Sequence, residues 1–296
     1  GDVNGNGFSD LIIGEPKYDN LSIIDKGIVL VYHGSSMGLP ASPIWTQTRS
    51  QSGSGFGWSV SSAGDVNGDG YSDVIIGAPY FDNSTINSGK SFVYHGSVSG
   101  LGSTTGWNKE GEIGNEELGY CVSSAGDVNG DGYSDVIVGA WHYSNGQPDE
   151  GRVLVFHGSV AGLSDSANWI SEGNTVGAYF GISVSTSGDV NGDGYSDAIV
   201  GSPMFDLPTN PGRTFLYYGN EKTGLKSTVR QYKPGTNIIV YSGGFTETDK
   251  QVRLNIFGKS PFGRADGKIV FEYKINGAPY SGSIITNSTA FSGSGA

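Results

Sequence analysis

A repeat of 62 residues constrains this chain more than any other feature. The string GDVNGDGYSD occurs at 64–73, 126–135 and 188–197, and a close copy, GDVNGNGFSD, fills 1–10. The opening aspartates, Asp2, Asp65, Asp127 and Asp189, are spaced by 63, 62 and 62 residues. Trp45, Trp107 and Trp169 keep the same step, as do His33, His95 and His157. So do the pairs Gly38-Leu39, Gly100-Leu101, Gly162-Leu163 and Gly224-Leu225. Four independent landmarks in register exclude coincidence, so one supersecondary unit is built several times over.

Each unit reads as short strands between turns. Phe56-Gly57-Trp58-Ser59-Val60-Ser61-Ser62 alternates large and small residues, as a strand beside tightly packed neighbours does. After the acidic string comes Val74-Ile75-Ile76-Gly77, a β-branched run suited to burial on both faces, which Ala78-Pro79 ends. Ser91-Phe92-Val93-Tyr94-His95 makes a third strand, and a fourth surrounds Trp107. Helical periodicity is absent. The predicted fold is all-β, with blades of four antiparallel strands repeated as in a β-propeller. A β-helix, whose period is much shorter, ranks second. The 50 glycines fit many turns, and an aromatic content of 11% is too high for a disordered polar tract.

The repeat fades after Leu225, where Gln231 stands one period past Trp169 and no acidic string returns. Charge changes at the same place. Residues 1–225 hold 8 Lys+Arg and 25 Asp+Glu, a balance of −17, whereas residues 226–296 hold 9 and 4, a balance of +5. The expected division is therefore a four-repeat segment, 1–225, with its first repeat incomplete, and a β-rich segment, 226–296. The latter is a closing element or, as the charge step favours, the start of a further β-domain. Its expected strands are 237–241, 252–257 and 268–273, with turns at 265–267 and 276–277.

The acidic strings carry the chemistry. In Asp65-Val66-Asn67-Gly68-Asp69-Gly70-Tyr71-Ser72-Asp73, side-chain oxygens stand at positions 1, 3, 5 and 9. Calcium is a hard cation that takes six to eight oxygen ligands. Alternate residues of a tightly curled loop point inward together, and glycine at positions 4 and 6 permits the curl. Tyr71, at position 7, offers its carbonyl while its ring packs outward. An EF-hand is excluded, because position 12 is Ile76 and β-branched residues follow where a helix would begin. Asp73 closes the site instead.

The expected ligand sets are Asp2, Asn4, Asn6, Phe8 and Asp10; Asp65, Asn67, Asp69, Tyr71 and Asp73; Asp127, Asn129, Asp131, Tyr133 and Asp135; and Asp189, Asn191, Asp193, Tyr195 and Asp197. Up to four structural Ca²⁺ ions follow. The first loop is weaker, since Asn6 replaces an aspartate. The bland alternative is a set of Asn/Asp-Gly turns. Against it, the loops hold 2, 3, 3 and 3 aspartates, nearly the whole net charge of −12, and unneutralised carboxylates so close together repel one another.

These residues resemble the FG-GAP repeats of integrin α-subunit propellers and their bacterial relatives. The motif stands as Phe56-Gly57 with Gly77-Ala78-Pro79 and as Phe180-Gly181 with Gly201-Ser202-Pro203. The third unit departs, with Leu118-Gly119 and Gly139-Ala140-Trp141, and the first shows only Gly14-Glu15-Pro16. The resemblance covers about 1–225. It implies calcium at the acidic loops, a seven-bladed ring and a role in extracellular adhesion or recognition. Seven blades of this length need about 430 residues, so further blades are expected upstream of Gly1.

The remaining residues give little sign of catalysis. His33, His95 and His157 each sit in the same Tyr/Phe-His-Gly-Ser context, which reads as structural. Cys121, the only cysteine, reads as a small core residue, and Trp45, Trp107 and Trp169 as inter-blade core. No nucleophile elbow, zinc signature or phosphate-cradling loop is present. The chain is expected not to be an enzyme. Trp141-His142-Tyr143, which replaces the usual Ala-Pro turn, is a candidate for binding a sugar or protein.

The negative charge disfavours nucleic acid and anionic lipid. No apolar stretch approaches the roughly 20 residues that span a bilayer, so direct membrane insertion is not expected. The chain opens with Gly1 and reads as a fragment or mature segment, so the lack of a visible signal peptide says nothing about export. The expected role is a calcium-bound recognition module, extracellular or at the cell surface, with a protein or glycan partner and further domains on the same polypeptide. The alternative is a passive scaffold within a large surface or filament protein, to which the linker-like end Phe291-Ser292-Gly293-Ser294-Gly295-Ala296 points.

Overall fold

The computed structural model describes residues 1–19, 23–205 and 212–220 in full, and the backbone of three strands beyond them. Two compact units are formed, Gly1–Lys226 and Ser227–Ala296. Among the described residues every regular element is a strand, and no helix is long and apolar enough to cross a membrane.

The first unit contains four antiparallel sheets, one per repeat. The first sheet is β1 (Leu11–Glu15), β2 (Ile28–Tyr32) and β3 (Trp45–Thr48), paired in that order. The second is complete: β4 (Ser59–Gly64), β5 (Asp73–Ala78), β6 (Lys90–Tyr94) and β7 (Trp107–Glu110). The third repeats it as β8 (Cys121–Gly126), β9 (Asp135–Ala140), β10 (Arg152–Phe156) and β11 (Trp169–Glu172). In the fourth, β12 (Ser183–Gly188), β13 (Asp197–Ser202) and β14 (Arg213–Tyr217) are paired. The innermost strands β4, β8 and β12 lie side by side from sheet to sheet, with β1 against β4. The sheets are arranged as the blades of a β-propeller whose ring is not closed.

The core lies between the blades, which explains the β-branched run. Along β5, Val74 and Ile76 pack with Val29, Val31 and Phe92 on one side. Ile75 packs with Val136, Val138, Leu154 and Phe156 on the other. Successive side chains of a strand point to opposite faces, so one strand feeds two cores and every residue of β5 is buried. The third and fourth blades repeat the scheme through Ile137, Val153, Phe180 and Val200. At the start of the arc, Leu11 and Ile13 are each 41% exposed where their counterparts Val74 and Ile76 are buried.

The glycines of the motif mark where blades touch backbone to backbone. Within each blade, Gly57 N–H donates to the Gly77 carbonyl at 3.0 Å, and Gly119 and Gly181 make the same bond to Gly139 and Gly201. A Cβ placed on Gly77 would lie 1.9 Å from the Gly119 carbonyl oxygen of the next blade, and one on Gly139 2.0 Å from that of Gly181. No larger residue fits without moving a strand.

In the second unit, β15 (Val229–Tyr232) pairs antiparallel with β16 (Ile239–Val240) and with β17 (Arg253–Ile256). The latter two fall within expected strands. The strand expected at 268–273 and the turns at 265–267 and 276–277 lie outside the described residues.

Candidate metal loops and the opposite face

The acidic loops join β4 to β5, β8 to β9 and β12 to β13, and the first precedes β1. All four curl the same way. In the second, Asp65 Oδ1 accepts from the N–H groups of Gly68 and Asp69 at 2.7 and 3.1 Å, and its Oδ2 from Gly70 at 2.9 Å. Asn67 Oδ1 accepts from Asp69 N–H, and Asp69 Oδ1 from Tyr71 N–H, at 3.1 and 3.0 Å. Asp127, Asn129 and Asp131 repeat the pattern, as do Asp189, Asn191 and Asp193. Asp2, Asn4 and Asn6 follow it with Phe8 in the seventh place. The oxygens at positions 1, 3 and 5 are thus drawn into one small curl, each occupied by the loop's own amides.

Position 9 does a second job. Asp73 is fully buried, accepting from Val66 N–H through Oδ2 at 2.8 Å and from Gly96 N–H, beyond the end of β6, through Oδ1 at 2.9 Å. Asp10, Asp135 and Asp197 make the same two bonds, to Val3 and Gly34, Val128 and Gly158, and Val190 and Gly219. Burial pushes the Asp73 carboxyl up to about 7 against its two backbone donors, with Asp69 and Asp65 adding repulsion. Burial likewise raises Asp135 to about 8, with Asp131 and Asp127 adding to it.

Among the described residues no three His, Cys, Asp or Glu side chains form a ready metal cluster. The carboxylates are turned onto amides, and the expected donor set includes an amide and a backbone carbonyl. The set nonetheless fits a hard cation: every donor is oxygen, and in the second and third loops the other two aspartates are near enough to raise the proton affinity of Asp73 and Asp135.

The sequence reading missed how one loop locks to the next. Ser72 Oγ accepts from Asp2 N–H, Ser134 Oγ from Asp65 N–H and Ser196 Oγ from Asp127 N–H, at 3.1 to 3.2 Å. The serine N–H groups return the bond to the aspartate carbonyls at 2.9 to 3.0 Å. The rings expected to pack outward lie on the preceding loop. A Cβ on Gly5, Gly68 or Gly130 would come within 2.4 to 2.7 Å of Tyr71, Tyr133 or Tyr195. Position 4 is therefore glycine for clearance as well as for its curl. The signal was present, since Ser9, Ser72, Ser134 and Ser196 recur at position 8.

The other repeated residues act between blades. Trp45 Nε1 donates to the Gly102 carbonyl and Trp107 Nε1 to that of Ser164, both at 3.0 Å, while their rings meet Tyr94 and Phe156 edge-on. His33 and His95 have buried Nε2 atoms and sit against Gly100 and Gly162 of the following repeat. Cys121 Sγ accepts from Val184 N–H at 3.3 Å, as Ser59 Oγ does from Val122 N–H.

β5 starts at an acidic loop and ends at Ala78, so the segments around Tyr80 and Trp58 lie at the other end of the blades, about 20 Å away for a six-residue strand. A strip of rings crosses three blades there: Tyr80 on Trp58, Trp58 on Tyr120, Tyr120 on Trp141 and Trp141 on Tyr179, with centroids 4.9 to 5.4 Å apart. His142 stacks on Trp141 at 3.7 Å. Glu117, only 8% exposed, accepts from Trp141 Nε1 at 2.8 Å and lies 3.5 Å from His142 Nδ1; burial raises its proton affinity. Tyr143, grouped with these two in sequence, is instead buried with the Arg152 guanidinium 4.0 Å from its ring centre.

Comparison with known proteins follows the repeats. The FG-GAP repeat family matches residues 56–94, 122–156 and 180–217. The chain is 30% identical over 210 residues to integrin alpha-V of Gallus gallus, covering 68% of this chain and 19% of that protein. It is 34% identical over 242 residues to integrin alpha-6 of Homo sapiens, covering 78% and 18%. Against integrin alpha-5 of Xenopus laevis it is 29% identical over 232 residues, covering 74% and 20%. The chain thus spans about a fifth of the length of the curated relatives it matches.

Proposed function

The chain carries FG-GAP repeats in three copies and is homologous to integrin α subunits at about 30% identity over most of its length, and from that premise we propose that it is a calcium-stapled recognition segment of an extracellular or cell-surface protein. In this reading each acidic loop holds one Ca²⁺, up to four in all. The ligands are the side chains at positions 1, 3, 5 and 9 and the carbonyl at position 7. The ion neutralises the loop's carboxylates, and the amides they now occupy return to the backbone curl. Partner recognition falls to the opposite face, and catalysis to neither.

The observation that carries the reading is the fourfold recurrence of one oxygen-lined curl, in which four hydrogen bonds stand at the same positions in every copy. A turn needed only to join two strands does not call for three carboxylates, whose mutual repulsion is a cost. Calcium titrated calorimetrically into the chelator-stripped chain tests it. Saturable binding of up to four ions, reduced by one site in Asp131→Asn, is the expected result, and no heat beyond dilution contradicts it. Beads coated with the chain are expected to adhere to cells in calcium and to detach in EDTA.

A further inference from the structure

We propose that the aromatic strip from Tyr80 to Tyr179 is a binding platform for a neutral glycan, a partner class that rests on the recognition role given above to this face.

Three features of the strip single it out. It is continuous, each ring touching the next across the second, third and fourth repeats. It is open, since Trp58 is 37% exposed and Tyr80, Tyr120, Trp141, His142 and Tyr179 are half-buried. It is held in place, because Glu117 fixes Trp141 through its indole N–H and approaches His142 with its other oxygen. None of these serves a core: the inter-blade clusters are filled without any of the six.

The chemistry beside the strip selects the ligand. Glu117 N–H donates to the Asn87 carbonyl at 3.1 Å and Tyr179 N–H to that of Asp149 at 3.1 Å, so the loops holding Asn83, Asn87, Asn145, Gln147 and Asp149 run along its margin. Aromatic faces with amides and carboxylates at the rim suit a pyranose, whose C–H face lies on a ring while its hydroxyls reach the polar groups. The alternatives fit less well. An anionic ligand meets a segment of charge −17 with no Lys or Arg among the strip residues. The segment's charge and Asp149 at the margin draw a cationic peptide, but within the strip the one carboxylate, Glu117, is 8% exposed and already engaged by Trp141 and His142, so hexalysine is the probe for that occupant. An apolar peptide meets a rim of amides.

The test uses the full chain in millimolar calcium, titrated with hexamers of β-1,4-glucose, α-1,6-mannose, β-1,4-galactose and β-1,4-N-acetylglucosamine, and separately with hexalysine, following tryptophan fluorescence and heat. At least one sugar is expected to bind. Trp58→Ala, at the most exposed ring, is expected to weaken it at least tenfold with an unchanged melting temperature, and Tyr120→Ala serves if Trp58→Ala melts lower. No binding of any hexamer, binding indifferent to both substitutions, or hexalysine binding with the same dependence on Trp58 overturns the proposal. Cell adhesion of coated beads that Trp58→Ala abolishes, with no sugar bound, sinks the glycan and leaves the recognition role standing. Failure of both sinks the two together.

Discussion

The aspartate at position 9 is where the local chemistry is most sharply balanced. Asp73 and Asp135 are buried and hold two chain segments through backbone N–H donors, yet their protons are retained to about 7 and about 8. In the unfolded chain both titrate near 3.8. Between these values the folded protein binds more protons than the unfolded one, so stability falls as pH rises. In chelator, the melting temperature is therefore expected to decline from pH 4 to pH 8, and Asp135→Asn to flatten the decline; a melting temperature rising across that window contradicts the assignment. Ser134 offers a second residue-scale test. Its hydroxyl receives Asp65 N–H of the preceding loop, and Ser134→Ala is expected to cost about 1 kcal/mol in urea denaturation. The curl of each acidic loop was legible in sequence because oxygen side chains alternate with glycine within nine residues. The serine and tyrosine roles were not, because they act on a neighbouring repeat, 69 or 70 residues away for the serines and 65 or 66 for the tyrosines.

The blade's strands owe their legibility to two-faced burial. Val74-Ile75-Ile76 announced a strand covered on both sides, and β5 is buried throughout. Boundaries were harder. The first strand of the second repeat begins at Ser59 and not at Phe56, since Gly57 takes φ +86° and Trp58 N–H closes a turn onto the Gly55 carbonyl. That turn brings the Phe-Gly of one blade against the Gly-Ala-Pro of the blade before it, a contact that depends on tertiary neighbours and leaves no local pattern. Its test is Gly77→Ala, whose Cβ would stand 1.9 Å from a backbone oxygen of the next blade. Overpacking of this kind costs about 1–3 kcal/mol or more, and a two-state melt of the variant is expected to show it. Gly7→Ala is the contrasting variant: its added Cβ would meet nothing within 4 Å and is strained only by a φ of +86°, whereas Gly77 has no positive φ and reports contact alone.

At the scale of the molecule, four blades share cores pairwise and four acidic loops join hand to hand along one face, so ion binding and blade packing are expected to melt together. The repeat made the blade architecture readable, while the open face of Tyr80, Trp58, Tyr120, Trp141 and Tyr179 was not, since its rings come from five separate places in the chain and only Trp141, with His142 beside it, lay in the motif noticed. If each site has the affinity typical of extracellular calcium modules, millimolar calcium contributes roughly 0.4–1.4 kcal/mol per loop. Summed over four loops that shifts the melting temperature of a unit of this size by about 5–20 °C. The most direct test is thermal unfolding of the chelator-stripped chain followed by circular dichroism in 2 mM calcium and in EDTA. A rise of that order with calcium, lost when Asp65, Asp127 and Asp189 are replaced together by Asn, is the predicted result; coincident curves in calcium and EDTA would contradict the account.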